Sequence, residues 1–447
     1  MKKIFLTLLA VLIWAGWAWG AAHYIDKRNT YNGDGSLPTP ATTVGSPGAW
    51  NSVKEACYKN YVATGDTVYF VKNSGPYYKS DFVFSVSVGT LYPFFDPGAV
   101  ITYDFGGNVI TFELNLSSGY EWHETTYSGD IVYYATAIGG GNPNIPTCFS
   151  GIVDGVWDAE STSLFGASVN ITEYTHTKKW GYGNKDSLGF NTVYVRGVDP
   201  ITGSPSILMS TTGGSPITIT RAGVTYIFKN GVIRGGGGLA VTSAASNGDN
   251  IIYFKNIEFI NTGSAAIRSN DELHLSYCKF KDCGHEAFDM LDSDAVVSNC
   301  HFENVHLITK LVDATSNTVT VKNCSSYNLL AGAFMHDSAT QILIEDYNQF
   351  HLDLINIHGG DALAYTAGTR QWTETGEHDF PASTATTETT SVLPTQAILQ
   401  DNGIEIPGVN IRDILDFYGN YPSGPVDIGL KQTFGRPRRP TGPLMIP

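Results

Sequence analysis

Four aspartates, Asp271, Asp292, Asp313 and Asp337, recur at spacings of 21, 21 and 24 residues. Three positions before each stand Arg268, Asp289, Lys310 and Phe334. His285, Glu286 and His336 lie close by in the chain, and no other stretch of this region is so rich in ionisable groups. Carboxylates brought together repel, so one holds a proton or a cation joins them. Calcium takes such oxygen ligands, which makes Asp271, Asp292, Asp313 and Asp337 candidate metal ligands. Lys310, if desolvated beside carboxylates, could take the proton α to a uronate carboxylate. Arg268 could hold that carboxylate through two parallel N–H donors, with His285 and His336 as further binding groups. That is β-elimination. A pair drawn from Glu286, Asp289 and Asp292 could instead serve as acid and base in glycoside hydrolysis. The same spacing also suits a plainer structure. The aspartates would then be a row of turn residues, and Arg268–Asp289–Lys310 a ladder of surface ion pairs.

These residues share a period, and the period names the scaffold. Lys255-Asn256-Ile257-Glu258-Phe259, Ser276-Tyr277-Cys278-Lys279-Phe280, Ser298-Asn299-Cys300-His301-Phe302 and Lys322-Asn323-Cys324-Ser325-Ser326 are variants of one unit. Their centres are 21, 22 and 24 residues apart. Each follows a short alternating apolar run of strand length, such as Leu273-His274-Leu275 or Val319-Thr320-Val321. A repeat of this length with β-branched alternation and Asn, Asp and Gly turns is a solenoid. The Leu-x-x-Leu-x-Leu pattern of leucine-rich repeats is absent. Each unit therefore reads as one coil of a parallel β-helix, and stacked coils share a continuous core. Successive coils place their side chains in rows about 4.8 Å apart, close to the pitch of sugar units in a polysaccharide. Cys278, Cys300 and Cys324 should form an inward column of small apolar side chains. Asn256, Asn299 and Asn323 should form a column of turn residues.

The rest of the chain fits an exported all-β protein. It has 447 residues, of which 48 are glycine and only 15% are charged. Lys+Arg number 27 against 42 Asp+Glu, a net charge of −15, which argues against nucleic acid or anionic lipid as a partner. Residues 1–22 read as a signal peptide: Lys2 and Lys3, an apolar run from Ile4 to about Trp19, then small residues. Ala18 and Gly20, or Gly20 and Ala22, could fill the −3 and −1 positions of a cleavage site. No other stretch is long and apolar enough to span a membrane. The expected address is outside the cell or on its surface.

Three further places carry a resemblance. His23-Tyr24-Ile25-Asp26, followed by Asn32-Gly33-Asp34-Gly35-Ser36 and Trp50, looks like an N-terminal "YVD…GxDxxxGxxxxP…W" opening. Gly65-Asp66-Thr67-Val68-Tyr69-Phe70 is similar to a "GDTVYF" strand. Asp416-Phe417-Tyr418-Gly419-Asn420 and Pro425-Val426-Asp427-Ile428-Gly429 resemble a closing "P-x-DIG" element. In this order they resemble secreted right-handed parallel β-helix proteins of the pectate-lyase-like superfamily. The resemblance implies that fold and a carbohydrate-active role on an acidic or plant-type polysaccharide, as lyase or hydrolase. A non-catalytic adhesin, filament or glycan-binding protein on the same solenoid is the alternative. The closing element departs from the family at Leu430-Lys431 and runs into a basic tail, Arg436-Pro437-Arg438-Arg439-Pro440.

The expected layout is a signal peptide at 1–22 and an N-terminal cap with first coils at 23–110. A β-rich insertion follows at 111–200, then the main coils at 201–375, then a closing segment and tail at 376–447. The insertion is rich in Trp122, Tyr133, Tyr134, Trp157 and Trp180, which could be its core or a sugar-stacking platform. Asp26, Asn32 and Asp34 form a second group of oxygen ligands, read either as a calcium loop or as a capping turn.

Overall fold

The computed structural model describes residues 20–78, 95–127, 129–159, 179–185, 190–211, 215–236, 240–243, 250–291, 293–311, 317–329, 334–336, 342–346, 371–375, 420–421 and 436–437. Residues 1–19, Asp292, Asp313, Asp337 and nearly all of residues 376–447, where the leader and the closing segment are expected, lie outside the described residues. No described helix is long and apolar enough to cross a membrane.

Alternating apolar residues build a parallel β-solenoid with three faces. The first face stacks Ala22–Ile25, Thr67–Phe70, Val100–Asp104, the first half of Thr225–Arg234, the first half of Ile251–Thr262, Glu272–Ser276, Ala295–Ser298, Thr318–Lys322, Ile342–Asp346 and Gln371–Thr375, each parallel to the next. The second face runs from Tyr77–Tyr78 and Val109–Thr111 through the later halves of Thr225–Arg234 and Ile251–Thr262. It continues through the first parts of Lys279–Met290 and His301–Leu311 to Ser325–Leu329. The third face stacks Ile217–Ile219, Val241–Ser243, Ile267–Ser269, the ends of Lys279–Met290 and His301–Leu311, and Phe334–His336.

The corner between the first and second faces is made by left-handed residues. Asn230, Asn256, Asn299 and Asn323 have φ of 58°, 56°, 53° and 58°. Asparagine tolerates this region because its short amide can bond locally. Tyr277 takes the same place in its coil at φ 53°. A second left-handed column, Asn261, Asp282 and Asn304, follows five residues later in each coil. The side chains also link coils: Asn256 Nδ2 donates to Asn230 Oδ1 at 3.0 Å, and Asn304 Nδ2 to Asp282 Oδ1 at 2.8 Å. Asn256→Ala should therefore destabilise by about 1–2 kcal/mol, since a Cβ-only side chain keeps the left-handed strain and loses the bond. Asn256→Gly should cost less. Urea midpoints of the two variants check this order.

Inside, identical positions stack on one another. Tyr103, Phe228 and Phe254 lie 5.3 and 5.1 Å apart, centroid to centroid. Phe259, Phe280 and Phe302 do the same on the second face at 4.8 and 5.4 Å. Cys278, Cys300 and Cys324 form the inward column, fully buried and unpaired by disulfides. Burial pushes the Cys278 and Cys300 thiols well up, so they pack as small apolar groups.

The chain leaves the solenoid between Val109–Thr111 on the second face and Ile217–Ile219 on the third. The excursion forms two four-stranded antiparallel sheets. One orders Val156–Ala159, Cys148–Val153, Ile207–Thr211 and Glu113–Asn115. The other orders Trp180–Lys185, Phe190–Arg196, Asp130–Thr136 and Glu121–Tyr127. Trp180 and Tyr133 are buried in the insertion's own core, with Trp122 packed on it. Tyr134 packs against a second buried pair, Val132 and Tyr194. The insertion is tied to the solenoid by polar contacts. Ser150 Oγ donates to Asn261 Oδ1 at 2.9 Å, and Asn261 Nδ2 donates to Glu113 Oε1 at 2.7 Å. Glu113 also faces Arg234 at 3.2 Å, and burial raises its carboxyl above the usual range despite that partner.

Candidate functional site

The third face sets the ionisable row in register. Thr242, Arg268, Asp289 and Lys310 stand opposite one another in successive coils. The next residue in the row is Met335; Phe334 is opposite Thr309. Met335 follows Lys310 by one residue more than Asp337 follows Asp313, so Phe334 is displaced from the row where the sequence period put it. His336 is level with Leu311, Met290 and Ser269. Arg268 Nε bonds Asp289 Oδ2 at 2.8 Å. The arginine side chain is 43% exposed and the carboxylate 3%. The charge nearest solvent is thus a guanidinium with further N–H donors, seated on a buried carboxylate.

Asp271 is fully buried in the turn that leads back to the first face. Its carboxylate accepts from Ser243 Oγ, from Asn250 N at 3.3 Å and from Asn250 Nδ2 at 3.0 Å. Its own N–H donates to Ser269 Oγ at 3.0 Å. The bonds from Ser243 and Asn250 join neighbouring coils. The N-terminal oxygen group is similarly engaged. Asp26 is bidentate to Arg28 at 2.8 and 2.7 Å. Asp34 Oδ1 accepts from Ser36 N and Gly48 N, and the Ser36 bonds lower its carboxyl. Asn32 bridges Asn51 and Glu55. Among the described residues, no group of three or more His, Cys, Asp or Glu side chains is arranged to hold a metal ion.

A second constellation sits where Lys279–Met290 passes from the second face to the third. Pairing with His301–Leu311 runs Cys283 to Val305 and then Glu286 to Leu307. Gly284 and His285 therefore stand against His306 alone, a bulge of the kind that re-aims side chains. Glycine is required there: a Cβ on residue 284 would lie 2.7 Å from the Gly263 carbonyl oxygen. The bulge brings His285 Nδ1 to 2.5 Å from Glu286 Oε1. The His285 and His306 rings lie 5.5 Å apart, tilted by 32°. Glu286 is 2% exposed and His285 24%.

The two imidazoles have different surroundings. Glu286 accepts a hydrogen bond from His285 Nδ1, which orients that ring. His306 Nδ1 is buried and has no hydrogen-bond partner. Burial pulls the His306 pKa down, the neighbouring His285 pulls it further, and Glu286 opposes both. His306 is thus held neutral at neutral pH, as a proton acceptor must be. Two groups whose environments differ in this way can divide acid and base work. His306 is absent from the residues singled out by the sequence. Its signal was the period: it follows His285 by 21 residues, as Asp289 follows Arg268.

The second face carries another charged group, which reads as structure. Lys279 Nζ lies 2.9 Å from Glu303 Oε2 and 3.7 Å from Glu258 Oε1, and Lys281 Nζ lies 2.8 Å from Glu303 Oε1. Two lysines on one buried carboxylate neutralise it and lock three coils together.

No family model matches the chain, and neither does any curated protein. A solved structure described as "The complex structure of XylC with xylose" is similar over 74% of this chain and 71% of that one, at 12% identity and a TM-score of 0.37. Function is therefore read from the side chains themselves.

Proposed function

We propose that this is an exported carbohydrate-active solenoid that transfers protons on a bound glycan at the bulge of His285, Glu286 and His306. The observation that carries this reading is His306, a partly buried imidazole whose pKa burial lowers, beside a histidine oriented by a carboxylate. Along the strand, Asp289 is three residues from Glu286, about 10 Å. The half-exposed Arg268 above Asp289 is placed to bind an acidic group of the same chain of sugars. In an elimination, His306 would take the proton next to a uronate carboxylate. The C–H electron pair would form the new double bond, the glycosidic C–O bond would break, and the leaving oxygen would take a proton from Nε2 of a doubly protonated His285 whose Nδ1 proton stays on the Glu286 bond. Hydrolysis would use the same acid and base on water and the glycosidic oxygen.

A second reading follows from a specific observation. Arg268 and Asp289 neutralise each other, as a surface ladder does. A non-catalytic glycan-binding protein at the cell surface would need no more than that. A screen separates the readings. The exported protein is incubated with polyuronates and with neutral plant and bacterial glycans, with calcium or with chelator. Ultraviolet absorbance of an unsaturated uronate, lost in His306→Ala, is the expected result for elimination. New reducing ends without that absorbance mean hydrolysis. Binding on a glycan array with no turnover of any glycan means the second reading.

A further inference from the structure

We infer that the chain is processed between Gly20 and Ala21, and that the α-ammonium so created is bound by Asp66. The residues on both sides of that bond carry the inference. Asp66 is 5% exposed. Its Oδ1 accepts from Ala21 N at 2.6 Å, and its Oδ2 from Ala63 N at 2.7 Å and His23 Nε2 at 2.9 Å. The His23 ring is clamped on Trp50 at 5.1 Å, with the planes 8° apart. A buried carboxylate is stabilised far more by a cation than by an amide N–H. The nitrogen aimed at Oδ1 belongs to Ala21, and it becomes a cation when the preceding bond is cut.

The geometry also discriminates between the two cleavage positions open in the sequence. Cutting after Ala22 would remove the Ala22–Thr67 pairing that opens the first face. It would also remove the bond from Thr67 N to the Ala21 carbonyl at 2.9 Å and the Ala21–Asp66 contact. Cutting after Gly20 keeps all three. Gly20 itself is pressed on the Gly65–Asp66 backbone, where a Cβ would lie 1.8 Å from the Gly65 oxygen. A small residue is what a leader peptidase accepts at −1, with Ala18 at −3. The step is hydrolysis by such a peptidase. Water adds across the amide, Gly20 departs as a carboxylate, and the Ala21 nitrogen takes a proton. The inference rests on the leader reading of residues 1–20 and is independent of any activity on glycans.

The test uses the full chain expressed with its leader in a secreting host. Intact mass and the N-terminal peptide of the exported protein should place Ala21 first. A chain that begins at His23, or that keeps its leader, would overturn the inferred position. The ion pair has its own readout. Cyanate at neutral pH modifies α-amines ahead of lysines, because their ordinary pKa values differ by more than two units. The α-amine of the folded protein should react roughly tenfold or more slowly than that of the same chain in urea, one unit of pKa being a factor of ten. Asp66→Asn should restore fast reaction in the folded state. Equal rates in folded and unfolded wild-type chain would overturn the ion pair, whether or not the variant folds.

Discussion

His306→Ala should lower glycan turnover by about 10²–10⁴-fold, the usual contribution of a positioned acid or base. The folded protein should survive the change, since His306 is only partly buried and makes no hydrogen bond through its buried Nδ1. The pH profile distinguishes a base from a merely structural histidine. The working form is neutral, and burial lowers the His306 pKa from its ordinary value. Activity should therefore persist below about pH 6.5, the ordinary histidine value, and fall only as His306 gains its proton at lower pH. Glu286→Gln should act differently. It removes the partner that orients His285 and also the negative charge that opposes the lowering at His306. The acid limb of kcat/KM should then move to still lower pH, with kcat reduced. Initial rates of both variants against pH, alongside melting curves, decide the matter. A His306→Ala enzyme with unchanged kcat would move the base to Lys310.

The sequence period made the solenoid legible because side chains in a stack must repeat. Cys278, Cys300 and Cys324 could be read as an inward column for that reason alone, and they are one. The row of Arg268, Asp289 and Lys310 was legible on the same ground. Where coils differ in length, counting fails. The step from Lys310 to Met335 carries one residue more than the step from Asp313 to Asp337. The bulge at Gly284 and His285 inserts a residue that no composition rule marks. It sets both Gly284 and His285 against His306. Charge also misleads at turns. Asp271 belongs by spacing to a carboxylate column, yet it is buried against Ser243 and Asn250, because a turn between coils has its own backbone donors to satisfy. Loss of rhythm marked the insertion, but its docking on Asn261 and Arg234 depends on contacts more than a hundred residues apart in the chain.

Phe280→Ala should cost about 3–5 kcal/mol, the range for removing a buried phenylalanine. The ring is fully buried and stacks on Phe259 below and Phe302 above, with planes 11° and 16° from parallel. In a solenoid each coil is held mainly by its neighbours, so one missing ring weakens two interfaces at once. The damage should spread along the stack rather than across the molecule. Amides of Ile251–Thr262 and His301–Leu311 should lose protection from hydrogen exchange together with those of Lys279–Met290. The antiparallel sheet of Glu121–Tyr127 and Asp130–Thr136 packs on a separate core and should keep its protection. Phe280→Leu retains most of the apolar volume and should cost less. Urea denaturation gives the magnitudes, and exchange read strand by strand gives the direction. Protection lost uniformly, in the insertion as well as the coils, would mean that the two units unfold as one. The polar contacts of Asn261, Glu113 and Arg234 would then couple them as strongly as the aromatic stack couples the coils.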